Sequence, residues 1–404
     1  MVNSDSKLLS VAWLGESGFP YGLAAIQKTI ILGDALGRAG VKFTVINRKG
    51  TLARKDQDTL AAVGEFEGIK YVYASGITYR PENFLVRNLM KLKGAFNEFL
   101  YLKNMRSKDT SLASIVSNLN FLQSLLYVIY GRVLGFPVVF LYVEMASEMK
   151  HRTGIVRKTN DYLFEKFLLG RMSGALPISE LLKANFKKIA PRKPILKIPT
   201  ICNFENFSIP KREVEEDYFL FCGAVAYREV IDFVLQAYKA LDPSVSTKMY
   251  LIVSNGTSKQ YADLDAYLTE HGLKDKTKIF ANIPFSELID LYVNASALLI
   301  PLRPTKQDAA RFPHKIAEYA ATGNPIITTN YGEVAYYFKD GDNALVADTY
   351  DILKFAEKLK FVMEQAEEAR AIGQRGKELG IQEFSHLNYG QRLKTFLQDL
   401  LQSR

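Results

Sequence analysis

The chain is poor in cysteine, tryptophan and histidine, with 2, 1 and 4 of them in 404 residues. Two cysteines, Cys202 and Cys222, cannot build a disulfide framework, so a reducing compartment is expected. The histidines (His151, His271, His314, His386) lack metal-ligand spacing, and no protein-built metal site is expected. Internal repeats and low-complexity tracts are missing, which sets aside solenoids and tail-like chains. The most apolar stretch, Leu119 to Tyr142, is interrupted by Gly131, Arg132, Gly135 and Pro137. It fits a buried helix followed by a strand, Val138 to Val143, better than a membrane span. No secretory signal is expected, because Lys7 is followed by a short strand pattern and then a glycine loop.

What remains is ordinary globular composition, 48% hydrophobic and 24% charged, with length for two domains of about 200 residues each. The net charge of +9 is unevenly spread. Residues 1–210 hold 29 Lys and Arg against 16 Asp and Glu, a surplus of 13 positive charges. Residues 211–404 hold 23 against 27, a deficit of 4. One half therefore suits an anionic surface, an anionic membrane in preference to nucleic acid, since no aromatic-and-basic nucleic-acid module is present.

Leu8 to Leu14 reads as a buried strand, followed by G-E-S-G-F-P-Y-G with Gly15, Gly18 and Gly22, a helix from Leu23 to Arg38, and a second strand, Val41 to Ile46. This opens a doubly wound α/β domain. The glycines are three and four apart, so a dinucleotide fingerprint is only weakly matched and a ligand-free glycine turn stays open. Between 80 and 108, Arg80, Arg87, Lys91, Lys93, Lys103, Arg106 and Lys108 are interleaved with Phe84, Leu85, Leu89, Met90, Leu92, Phe96, Phe99, Leu100, Tyr101 and Leu102. That is either a basic amphipathic helix for an anionic bilayer or the solvated face of an ordinary helix. Glu144, just past the strand ending at Val143, stands where open α/β sheets meet ligands; it either holds a hydroxyl or serves as a cap or ion-pair partner.

The most informative stretch is Arg311 to Glu333, R-F-P-H-K-I-A-E-Y-A-A-T-G-N-P-I-I-T-T-N-Y-G-E. Pro313 suits a first helical position, Gly323 a stop, Ile326 to Thr329 a strand, and Asn330-Tyr331-Gly332 a turn. Ile316, Tyr319 and Ala320 share a core stripe; Lys315, Glu318 and Thr322 form another row. A helix start flanked by Arg311 and Lys315 is an anion site, and Glu318 can accept hydrogen bonds from paired hydroxyls. A surface ion pair beside a solvated arginine is the plainer alternative.

The pattern P-x-K-x-x-E-Y-x-A-x-G-x-P-[IV]-I with D-G-D-N after the turn resembles the donor site of family 4 glycosyltransferases. The resemblance implies a GT-B fold, two Rossmann-like α/β domains facing across a cleft, with a C-terminal helix crossing back to the first. It implies residues 1–208 as the acceptor domain, 209–382 as the nucleotide-sugar domain and 383–404 as that helix; Pro210 to Glu216 reads as the linker. Leu176 to Glu180, Ile198 to Phe204 and Phe384-Ser385-His386 resemble further landmarks of the family. It further implies retaining, metal-independent transfer from a UDP- or GDP-linked sugar to a glycan or lipid-linked acceptor in cell-envelope or exopolysaccharide assembly. No cofactor is implied, and the setting would be cytoplasmic, at the inner face of the membrane. Arg311, Lys315 and Glu318 would grip the diphosphate and ribose, and Gly18, Gly22, Asn255, Ile283, Gly332 and Glu333 would line the donor. Where the family has a His motif, Glu144 stands. Where it has G-R-x-x-x-x-K-G, Ala224 and Glu229 replace both cations, and Arg228 is the substitute. The first of the family's two glutamates, eight positions before Glu318, is Ala310, with Asp308 as its stand-in. A sugar-nucleotide-binding protein without transfer activity, or a phosphorylase or epimerase of the same fold, is the alternative.

Overall fold

The computed structural model describes residues 8–22, 24–108, 111–149 and 152–403; Lys7, Leu23 and His151, named above, lie outside them. It comprises two α/β units, Met1–Pro199 with His386–Arg404, and Thr200–Ser385.

The first unit is built on β1 (Leu9–Leu14), β2 (Lys42–Asn47), β3 (Val63–Phe66), β4 (Ile69–Tyr73), β5 (Ser111–Val116), β6 (Val138–Tyr142) and β7 (Gly174–Pro177). They lie in the order β3-β4-β2-β1-β5-β6-β7, parallel except for β3 against β4. Strands β1 and β6 are buried along their whole length, as expected of central parallel strands covered on both faces. The helices are α1 (Ala24–Arg38), α2 (Phe84–Lys108), α3 (Phe121–Leu134), α4 (Ile155–Leu163) and α5 (Glu180–Ile189).

Helix α3 starts at Asn120, whose side chain accepts the Gln123 N–H, and stops at left-handed Gly135. It is only half buried, contrary to expectation. Ser124, Tyr127, Val128 and Gly131 face inward, while Leu122, Ile129 and Val133 are exposed. Helix α2 shows the same division more strongly. Gly94, Glu98 and Leu102 form its buried side, with Glu98 bonded to Arg48 Nε at 2.6 Å and to the Tyr127 hydroxyl at 3.2 Å. Leu85, Leu89, Leu92, Phe96 and Leu100 form an exposed row on the opposite side. Among the described residues, no helix is long and apolar enough to cross a membrane.

The second unit carries β8 (Tyr218–Ala224), β9 (Lys248–Ser254), β10 (Thr277–Ala281), β11 (Ala297–Ile300), β12 (Ile326–Thr329) and β13 (Leu345–Ala347), all parallel, ordered β10-β9-β8-β11-β12-β13. Its helices are α6 (Arg228–Lys239), α7 (Ser258–Glu270), α8 (Phe285–Asn294), α9 (Lys306–Ala310), α10 (Lys315–Thr322), α11 (Val334–Tyr337), α12 (Ile352–Glu364) and α13 (Ala366–Glu383). The charged stretch 210–216, which reads as linker, is pinned to this unit: Asn294 accepts the Arg212 N–H, Arg212 pairs with Asp290, and Lys211 bonds Asn324. The last helix, α14 (Gly390–Gln402), returns to the first unit and packs on α1. His386 Nε2 meets Asp34 at 2.7 Å and Lys394 Nζ donates to the Ala39 carbonyl at 2.8 Å.

Among the parallel strands of each sheet the order reverses once, between β1 and β5 and between β8 and β11. The carboxyl ends of those pairs are where open α/β sheets bind ligands.

Candidate functional site

In the second unit, β8 runs through Val225-Ala226-Tyr227 into α6, and β11 through Pro301-Leu302-Arg303 towards α9. Thr305 caps α9 by accepting the Asp308 N–H. Asp308, fully buried, accepts from Arg303 N, Nε and Nη2, each at 2.9 Å, and from Arg311 Nη2 at 2.9 Å. Burial alone would raise its pKa; the bonds to Arg303 and the charge of Arg311 outweigh burial and hold it below the ordinary carboxylate value. The Arg303 Nη1 pairs with Glu229. Both guanidinium groups lie over the Tyr227 ring, at 5.6 and 4.9 Å. The Arg311 Nε–H is buried without a hydrogen-bond partner. Gly332, at φ 59°, lies against this knot: a Cβ there would sit 2.9 Å from Ala309 Cα. Glu333 follows, buried.

Two expectations change with this geometry. Asp308 spends its oxygens on two arginines, so it positions guanidinium groups and is not free to stand in for the missing glutamate at Ala310. Arg228 is engaged elsewhere, donating to Asp232 on its own helix at 2.6 Å and lying over the ring of Tyr267 on α7 at 4.8 Å. The cation that meets Glu229 comes instead from Arg303, which the sequence reading did not single out. Its only signal was its place just past the carboxyl end of a buried strand.

Helix α10 begins at Lys315, two residues later than Pro313 suggests, and ends at left-handed Gly323. Its first turn has no side-chain cap, but the Ile316 and Ala317 amides donate to the Pro313 and His314 carbonyls at 3.1 and 3.2 Å, so what the helix start offers an anion is its dipole and the charge of Lys315. From Ile316 to Thr322 every residue is buried, so the row Lys315, Glu318 and Thr322 is not a solvated face. Desolvation pushes Glu318 up to about 7 against the opposing charge of Lys315. Its nearest basic side chain is His314, whose Nε2 lies at 3.5 Å while Nδ1 meets the Thr200 hydroxyl at 3.1 Å. Asn255, in the left-handed region, is exposed at the end of β9; Ile283, half-buried, follows β10.

In the first unit, the glycine loop leaves β1 at the switch point. Gly15 lies against Asn118, and Gly18, at φ 96°, against the Thr51 hydroxyl. The Phe19 carbonyl accepts the Tyr73 hydroxyl at 2.8 Å. Gly22 lies next to Ile26. Lys28 on α1, also not singled out in sequence, is lowered to about 8, first by desolvation, with Glu144 and Glu16 opposing. Glu144 therefore shares its surroundings with a lysine whose charge burial weakens.

Size does not locate the site. A cavity of about 560 Å³ is lined by Asp217, Phe219, Thr247 and Ser296, at the amino ends of the second unit's strands and away from these residues.

Residues 203–379 match the family model described as "Glycosyl transferases group 1", which includes the Arg311 to Glu333 stretch. An uncharacterized glycosyltransferase of Methanocaldococcus jannaschii is 24% identical over 178 residues, 44% of this chain; the chain thus spans about half, 47%, of that curated relative. Among solved structures, sucrose-phosphate synthase from Thermosynechococcus elongatus aligns with 98% of this chain and 100% of its own, at TM-score 0.73 and 16% identity. Anabaena HepE in complex with UDP-glucose covers 97% and 100%, at 0.69 and 11%. WaaG, a glycosyltransferase involved in lipopolysaccharide biosynthesis, covers 96% and 98%, at 0.62 and 15%. Likeness at this identity establishes the fold, the GT-B pair of Rossmann-like units.

Proposed function

We propose, from a second unit that belongs to the glycosyl transferases group 1 family, that this chain moves a sugar from a nucleoside diphosphate to an acceptor hydroxyl, with retention. The observation that carries the reading is Glu318. A carboxylate kept buried and raised to about 7, one turn after an uncapped helix start beside Lys315, costs stability unless a ligand uses it. In this reading Glu318 accepts the ribose hydroxyls. Lys315 and the orphaned Arg311 Nε–H take the diphosphate, with the dipole of α10 behind them. Asp308 and Arg303 fix Arg311 on Tyr227. Ile283, Asn255, Gly332 and Glu333 shape the remaining donor surface, Gly18 and Gly22 also line the donor, and Glu144 belongs to the acceptor side, with Lys28.

The anomeric C–O bond to the diphosphate breaks, the acceptor oxygen bonds to the same carbon, and the hydroxyl proton leaves with the diphosphate or solvent. The leaving oxygen gains charge in the transition state, so cations fixed there lower the barrier more than they tighten substrate binding. With these groups supplying the positive charge, turnover is expected to survive chelation of divalent metal. Peripheral contact with an anionic membrane and a lipid-linked or glycan acceptor in envelope synthesis follow from the basic first half. Support for the donor class comes from HepE, a structural relative at 11% identity crystallised with UDP-glucose.

A second reading, nucleotide-sugar binding without transfer, is favoured by one observation: Asp308 is locked by two arginines and Ala310 offers no carboxylate. Incubation with UDP- and GDP-sugars, scored for released nucleotide with and without acceptor hydroxyls, separates the two. Acceptor-dependent release that is lost in Lys315→Ala supports transfer; binding without release supports the second reading.

A further inference from the structure

Beside the glycine loop, a cavity of about 170 Å³ lies between the segment after β2, the segment 77–81, and the first half of α2. Lys49, Arg80, Arg87 and Lys91 line it with Gly50, Thr51, Ile77, Pro81 and Met90, and no carboxylate is among them. Sites that enclose drug-sized ligands run to about 300–1,000 Å³, so this one admits a single small group. Four cations gathered around a cavity repel one another. Lys49 registers this: its pKa is lowered, first by desolvation and then by Lys91, Arg80, Arg48 and Arg87. Such a cluster is relieved by an anion with several acceptor oxygens, which is the chemistry of a phosphate.

The same helix supplies a second, independent observation. Leu85, Leu89, Leu92, Phe96 and Leu100 recur at three- and four-residue intervals on its outward side, and Leu92 and Leu85 are about 70% exposed. Arg87, Met90 and Lys91 point the other way, into the cavity. A helix is about 10–12 Å across, and interfacial helices sink their apolar face about 5–10 Å into the acyl boundary. With the row immersed, the cavity stands at the level of the lipid phosphates. Lys93, Lys103 and Lys108, all exposed, complete the charge match to an anionic surface.

We propose that Lys49, Arg80, Arg87 and Lys91 form a binding site for the phosphate group of a membrane lipid, with the outward row of α2 seated in the bilayer beside it. The inference deepens the acceptor side of the transferase reading and rests on it for the idea that such a lipid is the acceptor; the binding itself stands apart. The full-length protein is titrated by calorimetry with dihexanoyl phosphatidic acid below its micelle concentration, with inorganic phosphate and with glucose 6-phosphate. It is then sedimented with phosphatidylcholine vesicles with and without phosphatidic acid. At about fivefold per charge near such a surface, Arg80→Gln/Lys91→Gln is expected to lose about 30-fold in affinity for the short-chain lipid. Lys103→Gln/Lys108→Gln, which removes equal charge outside the cavity, should keep it. Leu89→Gln/Phe96→Gln should keep short-chain lipid affinity within a few-fold and lose vesicle binding. All three variants alter exposed side chains, and unchanged UDP affinity in each reports an intact fold and donor site. Equal binding of inorganic phosphate or glucose 6-phosphate would assign the cavity to a soluble anion and overturn the lipid assignment. Undiminished lipid affinity in Arg80→Gln/Lys91→Gln would overturn the site itself. Failure of both UDP and GDP to bind the wild type, with lipid binding intact, would remove the donor reading and leave this one standing.

Discussion

Glu318→Gln is the most discriminating single change, because it should improve the fold while damaging the site. In the folded protein the carboxyl is raised from 4.5 to about 7 by desolvation. Between those values the folded state keeps a proton that the unfolded chain has lost, so stability falls as pH rises through the window and the full penalty applies above about 7. At about 1.4 kcal/mol per pH unit that penalty is at most about 3 kcal/mol, and relaxation of the buried site reduces it to about 1–3. Gln carries no charge at any pH and escapes it. For a domain of this size, each kcal/mol moves the melting temperature by about 2–4 °C. The variant should therefore melt about 3–10 °C above wild type at pH 8 and within a degree or two of it at pH 5. The same change removes a charge-assisted acceptor for the ribose, about 1.5–3 kcal/mol, so UDP affinity should fall about 10- to 150-fold. For the wild type, UDP affinity should rise as pH increases through about 7. Calorimetry at both pH values, paired with UDP titration, reads all three effects. An equal melting shift at pH 5 and pH 8 would show that the carboxylate is not desolvated as described. Intact UDP binding in the variant would refute the ribose role.

Further outcomes follow from the neighbouring residues. Lys315→Ala should cost about 10²–10³ in kcat with little change in donor KM, because the charge it meets develops on the leaving oxygen; steady-state kinetics checks this. Asp308→Ala strands two arginines without their counter-charge and should destabilise the protein by about 3–5 kcal/mol in urea unfolding. An unchanged melt with altered kcat would instead return Asp308 to direct sugar contact. Gly332→Ala forces an L residue to φ 59° against Ala309 and should cost about 1–3 kcal/mol, seen as a lower unfolding midpoint. Nucleotide release should persist in EDTA.

What could be read in advance depended on whether the signal was local. Strand β12 was legible residue for residue because four β-branched residues sit between Pro325 and Asn330. The stop of α10 at Gly323 was equally local. The start of that helix was not, since Pro313 and His314 form a tighter lead-in turn before Lys315. The outward polarity of α2 was ambiguous in sequence: basic and apolar residues alternate, and only packing decides that Gly94, Glu98 and Leu102 go inward. The arginine knot was invisible for a different reason. Arg303, Asp308 and Arg311 look like scattered loop charges until the order of β8 and β11 brings Tyr227 and Glu229 to them.

The return of α14 to α1 makes the first unit discontinuous along the chain, with His386 and Asp34 separated by 352 residues. Synthesis from the amino end therefore delivers all of Thr200–Ser385 before the first unit has its final piece. The second unit can mature while the other still waits, its α1 surface uncovered. Premature termination near residue 385 would harm the half translated first, leaving the half translated last whole.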